Sequence, residues 1–232
     1  MTDDLASIGA LLWRDREPRA NTPRTRLGVD VIVAAGIAAA DADGLDAVSM
    51  QRVAVDLGYT TMALYRHVPG KAHLLAAMAD DAAGAPPAPQ GDWRADVEGW
   101  AKAVWDAHVR HPWTLSVPTF SAPLGPGELA WFEALLRCLD GVGLPDGELV
   151  ALAAFVSSAV RDLARIAVEI ERSGEEYGRI LAERLDPARF PQLCRMSDTA
   201  AFDDALHEPL TVGLRRLLDG VAAAIPTTKD TR

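Results

Sequence analysis

Helix-starting and helix-ending residues follow one another closely in the first third of the chain, and they constrain the fold more than any other feature. Glycine is tolerated before a helix and favoured after one, so Gly28 and Gly44 predict a helix between them. Ser49 is a strong N-cap and Gly58 suits the left-handed residue that follows a helix, so a second, shorter helix is predicted there. Short helices with tight connections are therefore expected.

Two further helices follow with little room for loops. The third is predicted from Thr60 or Thr61 to about His67, and Pro69-Gly70 separates it from a fourth, over about 71–83. The fourth helix has one apolar face, formed by Leu74, Leu75, Met78 and Ala82. Two short helices joined by a tight glycine turn are the geometry of a helix-turn-helix, whose second helix enters the major groove of DNA.

The remainder of the chain also predicts helix, so the expected fold class is all-α. Ala, Leu, Glu and Arg dominate, and strand-like alternation is scarce. In the stretch GAPPAPQG three prolines prevent a continuous helix, which marks a linker. The predicted organisation is a basic, flexible N-terminal arm over 1–26, a helix-turn-helix domain over 27–83, the linker over 84–91, and a helical body for effector binding and dimerisation over 92–232.

The third predicted helix carries side chains suited to DNA. Thr60, Thr61 and Met62 lie on its first turn, where hydroxyls bond to bases or phosphates and a thioether packs on a thymine methyl group. Donors that suit phosphate oxygens follow at Tyr65, Arg66, His67 and Lys71. A lone tyrosine or histidine here would have an ordinary packing explanation. The ordered run of donors on one short helix favours DNA binding.

The net charge of −10 argues against a nucleic-acid partner, but its distribution weakens that objection. Residues 1–71 carry 8 Lys and Arg against 9 Asp and Glu, so the acidity lies in the rest of the chain. An acidic body repels DNA from all but the reading face. The first 26 residues hold five arginines that predict a phosphate-seeking arm, with a solvated tail as the alternative: Arg14, Arg16, Arg19, Arg24 and Arg26.

Residues 53–71, VAVDLGYTTMALYRHVPGK, resemble the signature of the tetracycline-repressor (TetR) family. That signature has an Ala and a Leu-Gly in the first helix and turn, then a Leu-Tyr pair and a His, and a Lys at the start of the next helix. The match extends from about Leu27 to Leu75, and the second half looks closest to the tetracycline-type C-terminal domain. The resemblance implies a dimeric, ligand-responsive transcriptional repressor.

The resemblance also implies roles for individual residues. It places Gln51 within reach of a base and Arg52 near a phosphate. Base reading is assigned to Thr60, Thr61 and Met62, and the backbone clamp to Tyr65, His67 and Lys71. Tyr59 stands where the family usually has a small aliphatic residue, and Met62 where a small residue or proline is commoner. Both departures bear on which operator is bound.

A specific site needs two half-sites about 34–36 Å apart, so a homodimer on a palindromic operator is expected. Two apolar stripes recur every three or four residues, at Leu149, Leu152, Val156, Val160, Leu163, Ala167 and Ile170 before Gly174 ends that helix, and at Leu206, Leu210, Leu214, Leu217, Val221 and Ile225. Resemblance to TetR-like proteins implies that such helices form a four-helix dimer interface. Packing within one chain is the alternative for each stripe.

A small apolar or aromatic effector is expected in the helical body, because sites between helices are mostly apolar with a few polar groups. The candidate effector-binding residues are Trp105, His108, Trp113, Phe120, Trp131, Phe155, Arg161 and Asp162. Each aromatic side chain also has a plain explanation as core. We hypothesise that ligand displaces the fourth predicted helix through its Leu74, Leu75 and Met78 face, and so changes the spacing of the two reading helices.

Several other functions find little support. No apolar stretch approaches the length of a transmembrane helix, and the N-terminus lacks the basic start of a secretory signal, so a cytoplasmic protein is expected. His108 and His111 have an i, i+3 spacing, but no third metal ligand is nearby and Pro112 follows. No phosphate loop, nucleophile elbow or dinucleotide motif occurs, so no metal, no cofactor and no enzymatic activity are predicted. A helical small-molecule-binding protein with a vestigial N-terminal module remains the alternative.

Overall fold

The computed structural model describes residues 2–14, 27–117, 124–198 and 209–225, and in these residues the fold is all-α, as the sequence predicts. The helices are α1 (Thr2–Leu12), α2 (Val29–Asp43), α3 (Met50–Leu57), α4 (Thr61–Tyr65), α5 (Lys71–Ala82), α6 (Trp93–Arg110), α7 (Pro126–Cys138), α8 (Asp146–Arg184), α9 (Pro191–Asp198) and α10 (Pro209–Ala224). Two 3-10 turns, Leu45–Ala47 and Pro112–Ser116, complete the described structure.

The helices α2 to α5, which we call the head, begin and end where the sequence predicts. The Ser49 side chain accepts a hydrogen bond from the backbone N–H of Arg52 at the start of α3. Gly58 is left-handed at φ 72°, and its N–H donates to the Val55 carbonyl at 3.1 Å. A side chain at Gly58 would be strained in this conformation, so the glycine determines the tight turn into α4.

The N-terminus differs from the expected flexible arm, because residues 2–12 form α1. Ile8 and Leu12 are buried in the core shared with the head. The Arg14 guanidinium bonds to the Leu11 carbonyl and pairs with Asp30, which accounts for one of the five arginines. Arg16, Arg19, Arg24 and Arg26 lie outside the described residues. The spacing of Leu5, Ile8 and Leu12 is the helical signal that the arginine-rich sequence obscured.

Contacts divide the chain into two compact units that do not follow chain order. One unit comprises Met1–Ala88 and Asp106–Leu135, and the other comprises Pro89–Trp105 and Leu136–Arg232. The expected division was sequential, with the head and the body separated at 84–91. Helices α6 and α7 instead each contribute residues to both units.

The core of the first unit is built around the head. Leu64, Val68, Leu74 and Met78 are all fully buried in one apolar cluster. Helix α5 approaches α2 so closely that a Cβ added at Gly36 would lie 2.7 Å from the Met78 sulfur. The apolar face of α5 therefore packs against the head itself, and this is the face through which we hypothesised that a ligand acts.

The second unit contains the two apolar stripes. Val156 and Val160 of α8 and Leu214 and Val221 of α10 are buried within the chain, which supports intrachain packing for part of each stripe. Leu206 lies outside the described residues. The backbone at Gly174 is not helical, with φ 52° and ψ −143°, so α8 is interrupted where the sequence predicts an end.

Candidate nucleic-acid interface

Helix α4 is short and is held by its buried side. It has five residues, and the Thr60 side chain accepts a hydrogen bond from the Ala63 N–H at 3.3 Å at its start. Leu64 and Val68 are 0% exposed and anchor the helix to the core. Met62 is 69% exposed and Tyr65 is 46% exposed. The helix thus presents large side chains to solvent from a fixed backbone.

The predicted DNA-binding residues lie within one stretch of 21 residues, 51–71. The exposed members are Gln51, Thr60, Met62, Tyr65, Arg66 and Lys71. The half-buried members are Arg52, Thr61 and His67. None of the nine is fully buried, so each can be reached from solvent. Their contacts with DNA remain predictions.

Arg52 is already paired within the protein, although no pairing was predicted for it. Its Nε donates to both oxygens of Asp56, at 2.8 and 3.1 Å, and its guanidinium also lies 3.0 Å from Asp43. The hydrogen bonds to Asp56 and then Asp43 raise the pKa of Arg52. Asp56 is one helical turn from Arg52, so this pair was visible as an i, i+4 spacing. Two carboxylates beside one guanidinium leave this cluster net negative, which disfavours phosphate.

We expect Lys71→Ala to weaken binding to every duplex by about 10-fold and to reduce the salt dependence by about one charge, because an exposed ammonium at the start of α5 suits a phosphate. Arg52→Ala is expected to lower affinity less, since its guanidinium is already bonded to Asp43 and Asp56 and only the extra negative charge left behind opposes DNA. Anisotropy titrations at several salt concentrations measure both effects. An equal loss for the two variants would show that Arg52 leaves its carboxylates to bind DNA.

The predicted effector-binding residues are distributed over both units. In the first unit, Trp113 is buried in the core of the head and its indole N–H donates to Asp41 at 2.7 Å. Trp131, also largely buried, donates to the Gly84 carbonyl at 3.0 Å. His108 is hydrogen-bonded to Thr114 at 2.9 Å. These three side chains therefore hold local structure.

The remaining candidates lie in the second unit, apart from Phe120, which is outside the described residues. Trp105 and Arg161 are half-buried, and Asp162 is exposed. Phe155 is 61% exposed on α8. The structure does not gather the seven described candidates around one cavity.

His108 and His111, which have the spacing of a metal pair, are used in other contacts. His111 Nδ1 is 2.7 Å from the same Asp41 oxygen that accepts from Trp113. Asp41, on α2, therefore joins the 3-10 turn Pro112–Ser116 to the head. Sequence reasoning missed Asp41, because its partners are about 70 residues further along the chain and only the fold brings them together.

An apolar cleft of about 210 Å³ lies between α8 and α10 in the second unit. It is lined by Phe155, Val156, Ala159, Val160, Leu163, Leu210, Gly213, Leu214 and Leu217. Ile166, on the same face of α8, is 40% exposed, and Phe155 at the edge of the cleft is 61% exposed. We call the cleft residues together with Ile166 the α8–α10 surface. Its lining is apolar, and Phe155 and Ile166 extend it to solvent.

Cys138 and Cys194 are both free. Burial raises the pKa of the Cys138 thiol, and the nearby Asp96 carboxylate raises it further. Both effects disfavour the thiolate, which is the reactive form of cysteine. No helix in the described part of the chain is long and apolar enough to cross a membrane.

The short, exposed α4 following a tight turn from α3 defines a helix-turn-helix of the DNA-reading class. Residues 32–78 match the family model described as bacterial regulatory proteins, tetR family, and residues 85–225 match the tetracyclin repressor-like C-terminal domain. The chain belongs to the TetR family of helix-turn-helix transcriptional regulators, a family that is not enzymatic.

Among its relatives is the HTH-type transcriptional repressor DrrR1 of Streptomyces coeruleorubidus, which is 35% identical over 237 residues, covering 96% of this chain and 87% of that protein. The fold is similar to ActR of Streptomyces coelicolor in complex with actinorhodin, with a TM-score of 0.71 and 24% identity, over 87% of this chain and 98% of that one. It is also similar to BioQ, from Mycobacterium smegmatis, in the crystal structure with its double-stranded DNA operator, with a TM-score of 0.60 and 23% identity, over 85% of this chain and 99% of that one.

Proposed function

We propose that the protein is a ligand-responsive transcriptional repressor that works in the cytoplasm, binds a palindromic operator as a homodimer, and is released by a small apolar or aromatic effector. The observation that carries this proposal is the geometry of α4. Leu64 of α4 and Val68, just after it, are fully buried in the core, while Met62 and Tyr65 of the same helix are exposed to solvent. A helix fixed from one side and bearing donors on the other is suited to a groove.

The α8–α10 surface supports the homodimer. A monomer that left Phe155 and Ile166 exposed would keep apolar area in water at a cost of roughly 25 cal/mol per Å². A second copy related by a two-fold axis presents the same surface, so each apolar side chain meets an apolar partner. The two heads of such a dimer are related by the same two-fold symmetry as the half-sites of a palindromic operator.

Two facts about relatives support parts of this proposal. ActR was solved with actinorhodin bound, which favours a small-molecule effector, and DrrR1 is named a repressor, which favours repression. Of the predicted effector residues in this chain, Trp105 and Arg161 are the best candidates, because Trp113 and Trp131 already hold local structure through their indole N–H groups and Phe155 belongs to the α8–α10 surface.

The test is selection of bound duplexes from a random pool, followed by release with candidate ligands. We expect enrichment of an inverted repeat whose half-sites are about one helical turn apart. Actinorhodin and a set of planar aromatic compounds are then added to the complex, and release by at least one of them is expected. A pool that shows no enrichment at low salt would contradict the proposed function, and enrichment without release by any aromatic compound would contradict the effector class.

A further inference from the structure

Helix α5 carries the two buried polar side chains found in the described residues. His73 is 8% exposed and Asp80 is 4% exposed. Burying polar groups costs free energy unless they are hydrogen-bonded. Both are bonded, and each bond reaches a segment far away in the sequence. His73 Nε2 is 2.9 Å from Ser7 Oγ on α1, and Asp80 Oδ1 accepts from the Glu128 N–H of α7 at 2.9 Å.

A third hydrogen bond joins α1 to α7. The indole N–H of Trp13, just after α1, donates to the Leu124 carbonyl at 2.9 Å, two residues before α7 begins. The three bonds therefore connect α1 to α5, α5 to α7, and α7 back to α1. We call this closed arrangement the α1–α5–α7 ring. All of its members belong to the first compact unit.

Asp80 packs so closely against the start of α7 that a side chain at Gly125 or Gly127 would clash with it. A Cβ added at Gly125 would lie 2.0 Å from Asp80 Oδ1, and one added at Gly127 would lie 2.0 Å from the Asp80 backbone oxygen. Only glycine allows this approach. The carboxylate faces the first turn of a helix, where N–H groups have no partner within the helix and a negative charge is stabilised.

The ring includes a helix that lies outside the matched DNA-binding domain, because that match covers 32–78 and α1 ends at Leu12. At its other end the ring includes α5, which begins at Lys71 and is the next helix after α4, the predicted DNA-reading helix. Helix α7 continues to Cys138, past the end of the first unit at Leu135. Asp80, which bonds to the first turn of α7, is therefore placed to pass a displacement of α7 on to α5.

We propose that the α1–α5–α7 ring is a positioning device for the head, with Asp80 as its central positioning residue, and that it sets how strictly the protein discriminates between operators of different half-site spacing. This rests on the proposed function, since spacing has meaning only for two heads on one duplex. A closed ring permits fewer positions of α5 than three separate contacts would. Opening it enlarges the range of head positions, so the correct spacing is bound less tightly and wrong spacings are penalised less.

The main test variant is Gly127→Ala, which forces α7 away from Asp80. Gly147→Ala is the matched control, because Gly147 is likewise the second residue of its helix and a Cβ there has nothing within 4 Å. Affinity is measured for the selected duplex and for the same duplex with one or two base pairs inserted at its centre. We expect the affinity for the selected duplex, divided by the affinity for the lengthened duplex, to fall by about 5-fold in Gly127→Ala. The same ratio should stay unchanged in Gly147→Ala.

A second readout does not depend on DNA. Amide hydrogen exchange is expected to increase in α1 and α5 of Gly127→Ala as well as at the start of α7, because the ring opens as a unit. Trp13→Phe removes only the indole donor to Leu124. It should lower the affinity ratio and increase the exchange, both by less than Gly127→Ala does. Trp93→Phe is its control and should change neither.

The two readouts separate the possible failures. Faster exchange confined to α7, or an unchanged spacing ratio in a folded variant that binds DNA, would overturn the proposal. If the wild-type protein bound no duplex, the proposed function would fail, and the exchange of α1 and α5 would alone decide whether the ring acts as a unit.

Discussion

Replacing Phe155 with glutamate is expected to convert the protein to a monomer and to lower its affinity for the selected duplex by at least about 100-fold. Phe155 is 61% exposed on the α8–α10 surface, so the change leaves the core of the chain intact. In a two-fold dimer the new carboxylates would be buried together with no positive partner, which is strongly unfavourable. A monomer then loses the gain from binding two half-sites at once, which is about 100-fold or more.

Sedimentation measures the oligomeric state of this variant, and anisotropy measures its affinity. Val109→Glu is the matched control, because Val109 is 50% exposed on α6 and outside the α8–α10 surface. The control should remain dimeric and bind normally. A Phe155→Glu protein that stays dimeric would place the interface elsewhere on the chain.

The second large effect is expected from Leu64→Ala, which should reduce the free energy of unfolding by about 2–5 kcal/mol. Leu64 is a fully buried residue of α4, and truncating its side chain leaves a cavity in the core of the head. A helix of five residues is not stable alone, so α4 depends on this packing for its structure. DNA binding should therefore fall together with stability.

Urea unfolding followed by circular dichroism measures the loss. Met62→Ala, two residues earlier in the same helix and 69% exposed, is the control, and its free energy of unfolding should stay within about 0.5 kcal/mol of the wild type. Should both variants lose stability equally, Leu64 would not be the anchor of the reading helix.

The helix boundaries of the head could be predicted because they depend on local chemistry. Ser49 caps α3 through its own side chain, and Gly58 adopts the left-handed conformation that ends it. Gly174 interrupts α8 for a similar local reason. Such residues act on the backbone next to them, so the sequence alone reveals their effect.

The hydrogen bonds that could not be predicted join residues that are distant in the sequence. The bonds from Asp80 to Glu128 and from Asp41 to Trp113 span 48 and 72 residues. Nothing near either aspartate in the sequence indicates its partner. Helix α1 was missed for a different reason, since the arginines that follow it suggested a flexible arm and the apolar spacing is short.

The structure also changes the expected route from ligand to DNA. Leu74 and Met78 are fully buried in the head core and Leu75 is half-buried against it, so a ligand would act on this face only by moving the elements packed on it. Asp80, on the same helix, is bonded to the start of α7 instead. The proposed signal therefore passes through the hydrogen-bonded end of α5 rather than through its apolar face.

The most direct test of the reading helix is an anisotropy titration of the selected duplex and of a scrambled duplex of the same composition, at about 50 mM salt. If Thr60, Thr61 and Met62 read bases, the selected duplex should bind at least about 1,000-fold more tightly than the scrambled one. Equal affinities for the two duplexes, or no saturable binding of either, would contradict the assignment of α4 as a sequence-reading helix.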